Sequence, residues 1–106
     1  MDWDAFIDAV KDDAGTLAKP ALKKAIQGAA TDLDAFVQAQ GAKVKDCLRQ
    51  LAEGRITREQ FHDYIEDIRD LAQEQLDAQA IAAAAGARRL ITDVCRVLLD
   101  KLVTLI

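Results

Sequence analysis

The chain holds one histidine, His62, and it stands three residues after Glu59. Glu-x-x-His is the spacing by which di-iron carboxylate helices put two ligands on one face, since residues three apart sit on successive turns. Glu66 follows one turn later. Glu59 and His62 are therefore the candidate metal ligands, and a ferritin-like metal-binding helical subunit is one reading of the chain. The pair also has a plainer use. Glu59 falls in the first turn of a helix, where a carboxylate favours the positive end of the dipole. The chain before that helix supplies one glutamate, Glu53, as a partner.

No other grouping reaches a reaction. Cys47 and Cys95 lie in apolar helical stretches without metal spacing, where a free cysteine acts as a small hydrophobe. A nucleophile–base pair would need His62 with one of them, and no motif joins them. Asp12-Asp13 and Asp32-x-Asp34 lack the other ligands of a calcium loop. The five glycines are scattered and form no phosphate loop. The expectation is a non-enzymatic protein with no cofactor and no small-molecule substrate.

Composition narrows the classes further. The chain has 106 residues, enough for one domain, and a net charge of −4. A nucleic-acid binder needs a basic footprint, so no nucleic-acid partner is expected. Two cysteines without a framework point to a reducing compartment. The acidic start Met1-Asp2-Trp3-Asp4 lacks the basic and apolar regions of a secretory signal. A cytoplasmic location is expected, with signal-independent export left open. No run of about 18 uncharged apolar residues exists to cross a bilayer.

These residues have to be carried by helices. Ala, Leu and Gln are frequent, there is one proline, and no alternating β-branched stretch occurs. The most defined local signal is a turn near 54–57. Gly54 can take the left-handed conformation that closes a helix. Thr57 and Gln60 have capping-box spacing, and Ile56 and Phe61 stand where a hydrophobic staple stands. Around that turn the apolar period predicts helices at about 3–18, 20–53 and 58–105, with a break allowed near 86. Unbroken, the last would be about 70 Å long. The expected fold is all-α: a long antiparallel helical hairpin with a kinked N-terminal helix, packed as a bundle or helical assembly.

Folding the hairpin at its turn brings residues whose numbers sum to about 111 together. Ala25, Gly28 and Ala29 then meet Ala83 and Gly86, and small side chains let helix backbones approach closely. Gly28 and Gly41 each cost about 1 kcal/mol inside a helix and call for such a reason.

The stretch after Leu90 is apolar over more than half its circumference, whereas one neighbouring helix covers a stripe about 100° wide. An extended hairpin has no interior to hide the rest. The expected function is a structural, self-assembling subunit that homo-oligomerises through Trp3, Phe6, Ile7, Val10, Leu90, Val94, Leu98, Leu102 and Leu105, as a bundle, ring, barrel or filament. The alternatives are a membrane-active amphipathic protein, acting on a lipid surface or forming a pore, and another helical protein as the partner.

Overall fold

Helices carry most of the apolar residues that recur at three- and four-residue steps, and among the described residues turns join them without any strand. A computed structural model describes residues 2–15, 17–78 and 81–106, with side chains in the last stretch from 84 onward. The helices are α1 (Trp3–Ala9), α2 (Lys19–Ala30), α3 (Ala35–Ala52), α4 (Arg58–Ala78), α5 (Ile81–Arg89) and the last turn α6 (Val103–Leu105). Between α5 and α6 the chain stays helical through two π-helical segments, Leu90–Cys95 and Leu98–Leu102. The all-α class is as expected.

The turn at 54 is built as its residues dictate. Gly54 has φ +74°, and Arg55 N–H donates to Gln50 O at 2.9 Å while Gly54 N–H donates to Leu51 O at 3.1 Å. Those two bonds close the end of α3 in the Schellman manner. Thr57 N–H donates to Gln60 Oε1 at 2.9 Å and Gln60 N–H to Thr57 Oγ1 at 3.1 Å, the reciprocal capping box. Phe61 is fully buried and Ile56 packs on the core beside it. Beyond this turn α3 and α4 lie side by side.

The arms are much shorter than the periodicity suggests. The expected helix over 20–53 is two helices, α2 and α3, which fold back on each other across Thr31–Asp34. Asp34 caps α3 by accepting from Val37 N–H at 3.1 Å, and Asp32 Oδ1 accepts from Asp34 N–H at 2.8 Å. Aspartate side chains compete with helix bonding in this way and end helices. Leu33 kept the apolar period through the break, yet it is 104 % exposed. The expected helix over 3–18 stops at Ala9, with Val10 extended. Lys19 Nζ donates to Val10 O, and to Asp8 O at 3.2 Å, so an ammonium satisfies carbonyls at the end of α1. Asp12 accepts from Leu17 N–H, and Gly15 has φ +66°. In the last arm the chain does not break at Gly86; α5 runs through it. Instead α4 ends at Ala78, α5 starts at Ile81 and packs back against α4.

The result measures 39 × 26 × 21 Å, far short of a 70 Å rod, with a radius of gyration of 13.1 Å. That radius is what a compact chain of this length has, ~13 Å. Ile7, Leu22, Ile26, Val44, Leu48, Phe61, Ile65, Leu90, Leu98 and Leu102 are buried in one core. The C-terminal helix is therefore covered by its own chain. Its two π-helical segments follow from its sequence. Leu90, Val94, Leu98 and Leu102 recur every four residues, and in an α-helix each such step turns ~40° past a full revolution. Arg96 N–H donates to Ile91 O and Val103 N–H to Leu98 O, bonds that reach back five residues. These wider turns offset the drift and keep all four side chains inside.

The helix glycines divide sharply. A Cβ on Gly41 would lie 2.4 Å from Ala30 N and 2.6 Å from Ala29 C, because α2 and α3 cross there in backbone contact. A Cβ on Gly28 would meet nothing within 4 Å. Gly41→Ala is expected to cost ~1–3 kcal/mol or more through overpacking, while Gly28→Ala is expected to stabilise by ~0.5–1 kcal/mol through helix propensity. Urea unfolding of the two variants checks the opposite signs.

Candidate functional site

The start of α4 carries the chain's chemical groups because the capping box fixes where that helix begins. His62 and Glu66 are one turn apart on it, and His62 Nδ1 lies 2.9 Å from Glu66 Oε1. Asp63 Oδ1 stands 3.8 Å from the same nitrogen. One ligand atom from each of His62, Asp63 and Glu66 lies within 4.8 Å of the others, the one such cluster among the described residues. Arg69 Nη2 approaches the other oxygen of Glu66 at 3.4 Å. All three side chains are reached by solvent.

The expected pair Glu59–His62 is thus only half of this arrangement. Both residues line one open cleft of about 540 Å³, with Arg58, Asp63, Val103 and Thr104. The imidazole turns toward Glu66, one turn further on, rather than back to Glu59. Asp63 was missed from sequence because neighbours on a helix project about 100° apart; the short carboxylate closes that gap from the flank. The spacing of His62 and Glu66 was the legible signal.

The small residues gather as the hairpin sum suggested, but not in close contact. Ala25, Gly28, Ala29 and Gly86 line a cleft of about 400 Å³ between α2 and the C-terminal helix, with Lys24, Asp32, Arg89 and Asp93 around it. Gly86 packs tightly, and against α3 and its turn: an added Cβ would stand 3.0 Å from Val37 Cγ2 and 3.2 Å from Asp32 Oδ2. The side chain of Ala83 lies outside the described residues. Close helix packing falls at Gly41, a residue that the sequence marked as needing a reason but left unpartnered.

Of the expected oligomer interface, Ile7, Val10, Leu90, Val94, Leu98 and Leu102 are buried within this chain. Trp3, Phe6 and Leu105 are half-buried. Phe6, Ala9, Val10, Ala52, Leu105 and Ile106 line a mostly apolar cleft of about 380 Å³ together with Lys11. Lys45 Nζ sits 5.2 Å above the Trp3 ring, a cation–π contact. A second cleft runs between α3 and α4, where Cys47, Tyr64, Ile68 and Leu71 stand among Lys43, Asp46, Gln50 and Asp67. Among the described residues no helix is long and apolar enough to cross a membrane.

Both thiols are unpaired. Burial pushes Cys95 up to about 12, with Arg69 opposing, and pushes Cys47 up to about 11, with Asp46 adding to the rise. Neither is a ready nucleophile near neutrality. An exposed thiol in the unfolded chain ionises near 9.0, so these two groups favour the folded state below pH 9 and lose that contribution as pH rises toward 11 and 12. A fall in urea midpoint from pH 9 upward, reduced in Cys95→Ala, is the expected result. A thiol reagent at pH 8 is expected to label half-buried Cys47 first and Cys95 only on unfolding, as read by mass spectrometry. Compared with known proteins, the chain matches no family model, no curated protein and no solved structure.

Proposed function

We propose that this chain is a non-enzymatic structural subunit that associates with copies of itself. The observation that carries this reading is the half-buried apolar end formed by Phe6, Leu105 and Ile106 around an open cleft. The broad C-terminal face is mostly buried in the chain's own core, while Leu105 and Ile106 at this end stay half-buried. Apolar side chains packed on a core from one side only are stabilised when a second surface removes the other side from water, at about 25 cal/mol per Å². A two-fold contact would place the same end of a second copy there, each Phe6 entering the partner's cleft. Tyr64 and Leu71, 44 % and 41 % exposed, offer a second apolar strip, on the α3–α4 side. A reducing, cytoplasmic setting accords with two unpaired thiols.

Light scattering on a sizing column tests the reading. The untagged protein is expected to have a mass that is a multiple of the 11.6 kDa chain. Ile106→Glu, and more so Phe6→Glu with Ile106→Glu, are expected to lower it to that of one chain with helix content retained. A single-chain mass at every concentration, or a folded double variant with the native mass, overturns it.

A further inference from the structure

We propose that His62, Asp63 and Glu66 bind a divalent transition-metal ion, zinc in the first place. Imidazole and carboxylate are the donors that zinc takes, at ~2.0–2.2 Å, and donors around a tetrahedral centre at that distance stand ~3.3–3.5 Å apart. The separations of 2.9 Å for His62–Glu66 and 3.8 Å for His62–Asp63 bracket that value, and all three donor atoms fit within 4.8 Å. Small side-chain rotations on a fixed helix turn close the triangle.

Three carboxylates, Glu59, Asp63 and Glu66, stand around the site against two guanidiniums, Arg58 and Arg69. Arg69 approaches Glu66 Oε2, while Oε1 faces the imidazole of His62; an outer contact of this kind orients a metal carboxylate. His62 is the fifth residue of α4 and Glu66 the ninth, beyond the first turn to which the positive end of the helix dipole is confined. The cleft beside the triad, with Glu59 on its wall, leaves the fourth position open to water or a further carboxylate. Magnesium and calcium want six or more oxygen ligands, and a set holding one nitrogen and two carboxylates selects against them. None of this depends on self-association.

His62 is the one histidine, so its imidazole resonances report the site without overlap. The full chain, stripped with a chelator, is titrated with zinc chloride and followed by NMR. The His62 signals are expected to shift and saturate at one zinc per chain, with magnesium leaving them in place. His62→Ala is expected to abolish zinc uptake, as read by elemental analysis of the protein after dialysis against zinc chloride. Asp63→Asn at an exposed position and Glu66→Gln at a half-buried one, with the fold retained by circular dichroism, are each expected to weaken binding ~10–100-fold. Cys47→Ala is expected to bind as the native chain does. His62 signals unmoved by excess zinc overturn the proposal, and so does native affinity in both carboxylate variants.

Discussion

Leu90, Val94, Leu98 and Leu102 recur every four residues, and all four have to stay on one side of the C-terminal helix to be buried. The rest of the fold depends on that constraint. An unbroken α-helix would carry the line ~120° round its axis over three steps; two π-helical segments hold it in place. The helix can then sink into the groove between α2 and α4, with the polar stripe Arg89, Asp93, Arg96, Asp100 outward. Burying it demands short neighbours on several sides. A long hairpin has one seam, whereas α2 folded back on α3, and α4 followed by a returning chain, make the walls of a pocket. The close crossing at Gly41 and the tight seat of Gly86 are where those walls touch.

Local chemistry was legible and chain reversals were not, for a physical reason. The turn at Gly54 could be read because every partner lies within a few residues: Gly54 with Gln50 and Leu51, Thr57 with Gln60. The reversal at Thr31–Asp34 carried its signal in two aspartates, but Leu33 stood in phase with the apolar period and concealed it. Periodicity reports which residues face a core; it does not report whether they reach it on one helix or two. Val10 and Leu17 show the same ambiguity, since both are buried from an irregular segment that the period had joined to α1. Gln40 lies 5 % exposed with its side-chain Oε1 unpartnered, a burial that costs about 1–3 kcal/mol and that no composition rule signals.

The surplus of apolar surface that a rod would have is mostly consumed by folding. What survives is local: the end around Phe6 and Ile106, and the strip by Tyr64 and Leu71. These surfaces are small beside the core, so association would join subunits whose cores are already closed rather than complete them. At the metal triad the sequence supplied the right histidine and helix, while the choice between Glu59 and Glu66 rested on which way one imidazole turns. That is set by side-chain geometry at the capped start of α4, and the spacing allowed either.

Native-state amide hydrogen exchange tests most directly whether the C-terminal helix is the centre of this fold. Amides buried under the most packing open only with the whole molecule and exchange slowest. If the helix is that centre, residues 94–102 are among the slowest, alongside Phe61–Ala72 of α4, and residues 31–34 exchange early. Rapid exchange over 94–102, with α2–α4 still protected, would contradict it and show a bundle that stands without its C-terminal helix.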